Sequence, residues 1–305
     1  MARTRTRKGN PVHGVLLINK PSGSTSNRVL QQVKWQLKAK KAGHTGALDP
    51  LATGLLPLCF GEATKFSQLL LDADKTYQVT ATLGIQTDTC DVDGEVIATK
   101  PIPAFTEADI EQLLAAHFTG TITQVAPIYS ALKVNGRPMY ELARAGEPVE
   151  AKSRQITIFS SQLDAVRPDQ VDLTIHCSKG TYIRSIVDEL GQLLGCGATV
   201  SRLHRTQHGP FTLDQAMGID DVPDEAFLSA MLPVDAMIAD WPVIELTEAQ
   251  SVPFIHGNPT TLTACDAPSD LQYRVYQSDS QQFVGIGQVK RANELWPVRV
   301  INCNS

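Results

Sequence analysis

Two stretches of the chain alternate between apolar and polar side chains, and this alternation restricts the possible folds more than any other feature of the sequence. They are Thr76–Leu83, whose apolar face begins with Tyr77, and Val171–Cys177. A period of two residues is that of a β-strand with one buried face, and half-buried strands are typical of antiparallel sheets. The sequence therefore predicts an antiparallel sheet in which Tyr77 points inward at the start of a strand, where it is placed to line a pocket.

Other segments predict helices and further strands around this sheet. Capping residues and apolar residues at helical spacing mark the helices, and short apolar runs mark the strands. The expected helices are one capped by Ser24 or Ser26, then Glu62–Leu71, one from a Thr106 and Asp109 capping box through Phe118, one after Tyr182, and an acidic one at Asp214–Met231. Further strands are expected at Val12–Ile18, Leu55–Phe60 and Val200–His208. Together these elements predict an α+β fold.

The length of 305 residues is enough for one large domain and one small one. We interpret Pro233–Leu246 as a hinge, after which a short helix begins at about Thr247. Three strand-like segments follow it: Gln272–Gln277, Gln282–Val289 and Leu295–Ile301. Residues 245–305 are therefore expected to form a small β-rich domain. Pro127–Gly146 mixes aromatic and basic residues, so it is either an insertion that faces nucleic acid or a hairpin and helix on the surface.

Charge is distributed unevenly along the chain. Residues 1–41 contain ten Lys or Arg and no Asp or Glu, and residues 206–273 contain no Lys or Arg, although the whole chain carries a net charge of −5. A basic N-terminal section suits a polyanion such as RNA, because its cations neutralise phosphates. We interpret residues 1–11 as a basic N-terminal arm, and a solvated basic tail without a partner is the alternative.

The segment Gly43–Gly54 (GHTGALDPLATG) contains the main candidate for a reactive group. Its glycines and proline predict a shaped loop rather than a helix or a strand. The one carboxylate in the loop is Asp49, and Pro50 biases its backbone toward an extended conformation. Asp49 is therefore either a turn former or a nucleophile, and the loop by itself does not decide between the two.

Two cations occupy positions that indicate an anionic partner. Lys179 and Arg184 lie near the N-terminus of the helix predicted after Tyr182, where the helix dipole disfavours positive charge. Arg184 is therefore expected to face a carboxylate or a phosphate, since a guanidinium pairs well with both. Lys20, at the end of a predicted strand, either positions a phosphate or is an ordinary surface lysine.

The sequence argues against several other kinds of site. It contains no Walker A loop, no dinucleotide-binding fingerprint, no Gly-x-Ser-x-Gly motif and no histidines at the spacing of a zinc protease. Gln86–Glu95 lacks the glycine and glutamate of a calcium loop, so a hairpin turn around Asp93 and Gly94 is preferred. The six cysteines include no Cys-x-x-Cys pair, which favours reduced thiols in a cytosolic protein. No metal or other cofactor is indicated, and no apolar run is long enough for a membrane helix.

Six segments occur in the order in which a known family carries its conserved blocks: Leu16–Asn27, Gly43–Lys65, Lys75–Val96, Pro127–Glu147, Cys177–Gly191 and Ser201–Phe211. They resemble the TruB family of tRNA pseudouridine synthases, and Gly43–Lys65 resembles its catalytic motif. The resemblance implies a mixed, mainly antiparallel central sheet with flanking helices in a catalytic domain at 12–240, with an RNA-binding insertion at about 101–150. Residues 245–305 resemble the PUA-like C-terminal domain of bacterial members more loosely.

The resemblance also implies an activity, the isomerisation of uridine 55 in the T loop of tRNA to pseudouridine, without a cofactor. The target base would be flipped out of its stack. Asp49 falls at the position of the catalytic aspartate, and Arg184 would pair with it, keeping it ionised and oriented. Tyr77 would stack on the uracil, and Tyr182 and Leu203 would line its pocket. His44 would fill the space that the flipped base vacates or stack near that base. Lys20 would help to hold the strand-end loop or the RNA backbone.

Two other functions remain open at this point. The first is an RNA-binding or tRNA-folding module without catalysis. The second is a synthase that a guide complex directs to other RNA. The presence of Asp49, Tyr77 and Arg184 argues against the first, and the compact length without a Lys-rich C-terminal tail argues against the second. We therefore expect a monomeric, cytoplasmic enzyme whose partner is the T stem-loop of tRNA and which binds no membrane. Whether Asp49 attacks the base or acts at the ribose stays undecided.

Overall fold

The computed structural model describes residues 9–130, 132–134, 136–148, 152–220, 222–262, 268–269, 271–291 and 293–302, so most of the basic arm at 1–11 lies outside the described residues. The strands are β1 (Gly14–Lys20), β2 (Ala42–His44), β3 (Thr53–Phe60), β4 (Lys75–Leu83), β5 (Ile85–Thr87), β6 (Val96–Thr99), β7 (Gly120–Val125), β8 (Lys133–Val134), β9 (Arg137–Pro138), β10 (Ser153–Arg167), β11 (Gln170–Cys177), β12 (Ala198–His208), β13 (Phe211–Thr212), β14 (Val243–Leu246), β15 (Thr260–Thr261), β16 (Gln272–Gln277), β17 (Gln282–Arg291) and β18 (Glu294–Val300). The α-helices are α1 (Ser26–Gln36), α2 (Ser67–Asp72), α3 (Glu107–His117), α4 (Met139–Arg144), α5 (Ile183–Leu193), α6 (Asp224–Ser229) and α7 (Glu248–Ile255). Short 3₁₀ helices lie at Gly61–Lys65, Leu213–Gln215 and Ala236–Ile238.

The central sheet is mixed and mainly antiparallel, which confirms the predicted fold class. Its strands follow one another in the order β1-β3-β12-β4-β11-β10-β7, with β2 beside β3 and β13 beside β12. Only β3 and β12 pair in parallel among these neighbours. The two alternating segments form β4 and β11, which are adjacent in the middle of the sheet, with Tyr77 opposite Ile175. Apolar residues of this sheet and of α1, α3 and α5 form the main core.

Two of the predicted helices agree closely with the structure. The capping box of Thr106 and Asp109 begins α3 as predicted. The next, α5, begins directly after Tyr182 and buries one apolar face against the sheet, as the spacing of its residues indicated. Arg184 is therefore the second residue of α5 and lies in its first turn.

Of three other predicted helices, the first is confirmed as α1 with a different cap, and the other two were wrong in extent. The cap of α1 is Thr25, whose hydroxyl accepts from the Arg28 N–H at 3.1 Å, rather than Ser24 or Ser26. Glu62–Leu71 divides into a 3₁₀ helix and α2, because Phe66 at the junction turns into an apolar cluster. Asp214–Met231 contains only the short helix α6 and a 3₁₀ turn, because Gly218 and Pro223 interrupt helical backbone.

A second sheet, in the order β14-β16-β17-β18-β15, confirms the β-rich C-terminal region. The three strands predicted there agree with β16, β17 and β18 to within two residues at each end. Pro233–Leu246 is not a free hinge, because its last residues form β14, which pairs in parallel with β16. Asp235 within the same segment also accepts from Arg274 at 3.2 Å. The domain limits at 12–240 and 245–305 stay predictions.

The two sheets share an apolar cluster. Phe66 and Leu70, beside and within α2, pack with Phe283 and Ile286 of β17, and the Phe66 and Phe283 ring centroids lie 5.7 Å apart. A hydrogen bond from a side chain to the backbone reinforces the junction, since the Lys65 ammonium donates to the Val300 carbonyl at 3.1 Å. The C-terminal sheet is therefore packed directly against the elements that follow β3.

The predicted insertion contains a short hairpin and a helix in its described part. Strands β8 and β9 pair with each other and lead into α4, which matches the hairpin-and-helix interpretation of Pro127–Gly146. No helix in the described ranges is long and apolar enough to cross a membrane.

Candidate active site

The loop between β2 and β3 carries Asp49 and is fastened to the segment that follows β1. The Ser26 hydroxyl accepts from the Leu48 N–H at 2.8 Å and lies 3.1 Å from the Leu48 carbonyl, to which it donates. The Gly23 N–H donates to the Pro50 carbonyl at 2.9 Å. Contacts on both sides of Asp49 therefore fix the backbone that presents its carboxylate.

Lys20 is the central support of this loop and not a surface residue. Its side chain is fully buried, and its ammonium donates to the carbonyls of Ala52 at 2.6 Å, Pro21 at 2.9 Å and Pro50 at 3.2 Å. Burial lowers the pKa of Lys20 to about 8, although Asp49 opposes that shift. Because the ammonium is enclosed by carbonyl groups, its contacts in the structure are those of the strand-end loop, and a contact of Lys20 with the RNA backbone stays a prediction.

Arg205 also holds the Asp49 loop, through hydrogen bonds to its backbone and to that of β3. This arginine of β12 is 1 % exposed, and its guanidinium donates to the Leu55 carbonyl at 2.7 Å and to the Gly46 carbonyl at 3.1 Å. It also hydrogen-bonds the Tyr77 hydroxyl. Gly54 lies against the Arg205 backbone, and with φ of +100° a Cβ there would fall 2.3 Å from the Arg205 carbonyl oxygen. Arg205 therefore couples the loop to the strand that carries Tyr77.

Asp49 and Arg184 form the ion pair that the resemblance implied, with 3.0 Å between Asp49 Oδ2 and Arg184 Nε. A second carboxylate, Asp91, lies 3.4 Å from Arg184 Nη1. The other guanidinium hydrogen bonds go to the carbonyls of Thr89 at 2.9 Å and Tyr129 at 3.1 Å. Arg184 is thus a buried cation with two acidic partners, which accounts for its position at the N-terminus of α5, where the dipole disfavours it.

The pKa of Asp49 is raised above its ordinary value. Desolvation is the largest cause, Asp91 adds to it, and Arg184 and Lys20 act in the opposite direction. Arg184 therefore acts in the direction expected of a partner that favours the ionised carboxylate, although desolvation outweighs it, and the role of Arg184 stays a prediction. The Asp49 side chain is nevertheless 42 % exposed, so that a ligand can reach it, whereas that of Arg184 is 7 % exposed.

A small cavity of about 100 Å³ opens beside Asp49. Its walls include three of the predicted uracil-binding residues, Tyr77, Tyr182 and Leu203, together with Arg184. Tyr77 is 8 % exposed, and burial raises its pKa, so the hydroxyl is neutral at ordinary pH. An aromatic ring, an apolar side chain and a paired carboxylate in one cavity suit a flat heterocycle held beside a reactive acid.

His44, like Lys20, is a predicted site residue that does not line this cavity. It ends β2, opposite Leu58 of β3, and its Nδ1 is buried without a hydrogen-bond partner. Burial lowers the pKa of His44, and the positive charge of Arg205 lowers it further. A buried, unpaired imidazole nitrogen beside the loop fits a residue whose partner arrives with a ligand, and its role stays a prediction.

Three residues of the site were missed in the sequence. Asp91 belongs to the acidic segment interpreted as a hairpin turn, and the loop between β5 and β6 brings it to Arg184. Arg205 follows Leu203 by two residues and was treated only as part of a strand. Ser26 was interpreted as a helix cap. The alternation of basic and apolar residues in Val200–His208 was the one sequence signal for Arg205, because it places that arginine on the inner face with Leu203.

Among the described residues, no group of three or more His, Cys, Asp or Glu side chains is arranged to hold a metal ion. The polar groups that line the cavity include the carboxylate of Asp49, the guanidinium of Arg184 and the hydroxyls of Tyr77 and Tyr182.

Comparison with solved structures shows that other chains share this fold. An H/ACA RNP bound to a substrate RNA containing 2′-deoxyuridine matches with a TM-score of 0.71, covering 99% of this chain and 92% of that chain at 22% identity. A Cbf5-Nop10-Gar1 complex matches equally well by TM-score, with 98% of this chain covered. These similarities define the class of fold and not the substrate.

Sequence comparison identifies the family. Residues 34–183 match the TruB family pseudouridylate synthase N-terminal domain, residues 184–239 the tRNA pseudouridylate synthase B C-terminal domain, and residues 242–301 the C-terminal domain of pseudouridine synthase II TruB. A protein named tRNA pseudouridine synthase B from Pseudomonas syringae pv. syringae is 48% identical over 99% of both chains, and one from Stutzerimonas stutzeri is 48% identical over 95% of this chain. The chain belongs to the TruB family of pseudouridine synthases.

Proposed function

We propose that the protein isomerises uridine to pseudouridine in tRNA, and that its target is uridine 55 in the T loop. Relatives of about the same length, at 48% identity, carry the name tRNA pseudouridine synthase B. The observation that carries the proposal is the position of Asp49, which is ion-paired at 3.0 Å and lies at a cavity lined by Tyr77, Tyr182 and Leu203. This combination provides a reactive carboxylate beside a slot for a flat base.

The reaction conserves all atoms of the substrate. The bond between N1 of uracil and C1′ of ribose breaks, the uracil turns within the site, and its C5 bonds to C1′ while the proton on C5 is transferred to N1. No electron acceptor or energy source is needed, because the product is an isomer of the substrate. Asp49 either adds to the base or acts at the sugar, and both routes require it as a carboxylate.

The cavity supplies the binding steps in this proposal. The target uridine leaves the stack of the T loop, and Tyr77 stacks on it, which stabilises the flipped base by roughly 1–3 kcal/mol. Tyr182 and Leu203 hold the sides of the ring. Arg184 orients Asp49, and Lys20 keeps the loop in place through its carbonyl contacts. His44 is proposed to contact the RNA that surrounds the flipped nucleotide, where its unpaired Nδ1 finds a partner.

An assay on a short hairpin tests the proposal. Wild type and Asp49→Asn are incubated with an unmodified T stem-loop, and pseudouridine is mapped in the RNA. We expect wild type to convert the target uridine and Asp49→Asn to be slower by at least about 10³-fold, because the variant keeps the shape but loses the carboxylate. Asp240→Asn, which changes an exposed carboxylate elsewhere, is the matched control and should be fully active.

The same assay separates catalysis from an RNA-folding role. If wild type forms no pseudouridine in the hairpin, the T-loop assignment is wrong; if Asp49→Asn forms it at the wild-type rate, the role of Asp49 is wrong. A tRNA-folding module without catalysis would refold tRNA with no product from either protein. We further propose that the enzyme acts as a monomer in the cytoplasm, which agrees with the free thiols of Cys59, Cys90, Cys177 and Cys196.

A further inference from the structure

The outer face of α1 carries an exposed tryptophan among cations. Arg28 and Trp35 are exposed on α1, exposed Lys38 follows directly after its C-cap, and Lys34 is half-exposed beside Trp35. Trp35 is 82 % exposed, whereas Trp241 and Trp296 are half-buried. The apolar residues of α1 that face the core are buried, so the Trp35 ring is isolated and does not belong to an apolar patch.

Lys38 has a backbone conformation that glycine would adopt more easily. The Lys38 N–H donates to the Trp35 carbonyl and the Ala39 N–H to the Lys34 carbonyl, which ends α1 with left-handed backbone at Lys38, where φ is +50°. A side chain in this conformation costs stability relative to glycine. The left-handed backbone therefore allows Lys38 to be replaced by glycine without loss of stability.

A groove of about 480 Å³ lies along this end of α1. Lys34, Trp35 and Lys38 line it, and Asp224 is the one carboxylate among its lining residues. The segment that leads out to residues 1–8 joins here, because the Asn10 N–H donates to the Lys38 carbonyl at 2.7 Å. The groove thus combines one accessible aromatic face with several cations.

We propose that this groove binds an unpaired nucleotide of the tRNA substrate, outside the T loop, with its base stacked on Trp35 and its phosphates on Lys34 and Lys38. Unpaired bases in RNA are bound by stacking on single aromatic rings, with cations on the backbone. Trp35 lies nine residues beyond Ser26, which is about 14 Å along the helix from the support of the Asp49 loop. The site is therefore separate from the cavity, and the inference rests on tRNA being the substrate.

Binding of full-length tRNA to wild type and four variants tests the groove. The variants are Trp35→Ala, Trp35→Phe and Lys38→Gly, with Lys100→Ala, which removes an exposed lysine directly after β6, as the matched control. We expect Trp35→Ala to weaken binding roughly 5- to 150-fold, Trp35→Phe to restore most of the affinity, and Lys100→Ala to bind like wild type. Lys38→Gly should lower the slope of log affinity against log salt by about 0.7–0.9 while its melting temperature stays equal or rises.

Tryptophan fluorescence reports the stacking directly. Wild type should lose emission when tRNA is added, and Trp35→Phe should lose this response. Wild-type affinity in Trp35→Ala, or no quenching of wild type at saturating tRNA, overturns the inference. Weaker binding by Lys38→Gly together with unchanged binding by Trp35→Ala also overturns it, because the contact would then be purely electrostatic.

The inference and the proposed function fail in different experiments. Turnover of the short T stem-loop by Trp35→Ala at saturating hairpin should match wild type, since the groove lies outside the cavity. If wild type makes no pseudouridine in that hairpin, the proposed function fails. If wild type is active on the hairpin and Trp35→Ala binds full-length tRNA as tightly as wild type does, the inference alone fails.

Discussion

Asp49 combines a raised pKa with a buried arginine partner. The two effects differ in origin, because desolvation acts on the carboxylate itself whereas Arg184 shares its charge between Asp49 and Asp91. An arginine that faces two carboxylates lowers the pKa of each by less than it would lower the pKa of a single partner. Asp49 is thereby held in position and remains more basic than an ordinary aspartate, which suits a group that adds to a base or accepts a proton.

The raised pKa predicts a pH dependence for Asp49. The carboxyl group should titrate above its ordinary value of 3.8, and activity should fall as acidification protonates it. The folded pKa lies above the unfolded one, so the stability that this group contributes is present below about 3.8 and is lost as the pH rises through the folded pKa. Asp49→Asn should therefore lose less stability than wild type across that interval.

Carboxyl-carbon NMR of aspartate-labelled protein measures this pKa, and the signal absent from Asp49→Asn assigns it. Denaturant titrations of both proteins over the same pH range give the change in stability. A titration of Asp49 at or below 3.8 would contradict the prediction, as would an identical pH dependence of stability in the two proteins.

At the scale of the elements, β3 and β12 approach each other in parallel at Gly54. The pairs are His204 with Thr53 and Arg205 with Gly54, and the Asp49 loop enters β3 at this point. The close approach places the Arg205 side chain under the loop, where it reaches the Gly46 carbonyl. The shape of the loop therefore depends on a backbone contact between two strands and not only on its own glycines and proline.

Gly54→Ala tests this contact. The new Cβ would fall 2.3 Å from the Arg205 carbonyl oxygen on backbone with φ of +100°, so the strands must separate. We expect the free energy of unfolding to fall by at least about 2 kcal/mol, with lower activity on the hairpin. Gly23→Ala is the matched control, because Gly23 also has positive φ but no atom within 4 Å of the new Cβ. Denaturant unfolding measures both, and an equal effect of the two substitutions would contradict the prediction.

The elements also show which sequence patterns are reliable. Strands β4, β11 and β16 were predicted to within a residue or so, because alternation or a bounded apolar run directly reflects a buried face. The helix at Asp214–Met231 was wrong, because acidic composition favours a helix without requiring one. Apolar residues of this region, such as Ile219 and Phe227, are nevertheless buried in the main core.

At the scale of the whole molecule, the C-terminal sheet covers an apolar surface of the larger domain. The ring centroid of Phe283 lies 5.7 Å from that of Phe66 and 5.6 Å from that of Tyr276. Leu17 of β1 and Leu55 of β3 belong to the same cluster, so it extends beneath the strands that carry the Asp49 loop. The two sheets are therefore expected to unfold together.

Phe283→Ala tests the junction between the sheets. Removing a ring that is 7 % exposed should cost about 3 kcal/mol of unfolding free energy. Val298→Ala, at a 44 % exposed position of β18, should change it by less than about 0.5 kcal/mol. Calorimetry of wild type should show one unfolding transition. Two separate transitions, of which Phe283→Ala affects only one, would contradict the coupling.

The sequence by itself determined the α+β class, five strands of the central sheet and three of the C-terminal one, the inward position of Tyr77 and the likeness of Gly43–Lys65 to a catalytic motif. These features are local, because the period of a strand and the residues of a motif are written in consecutive positions. The resemblance also supplied the pairing of Asp49 with Arg184, which no local pattern contains.

Only the tertiary structure decided which residues complete the site. Asp91 reaches Arg184 from a loop that looked like a plain turn, Lys20 is enclosed instead of exposed, and Arg205 supports the loop from a distant strand. The physical reason is that burial and pairing of a charge depend on chain segments far apart in sequence. The topology of the sheet brings those segments together, and with them the desolvation that raises the pKa of Asp49.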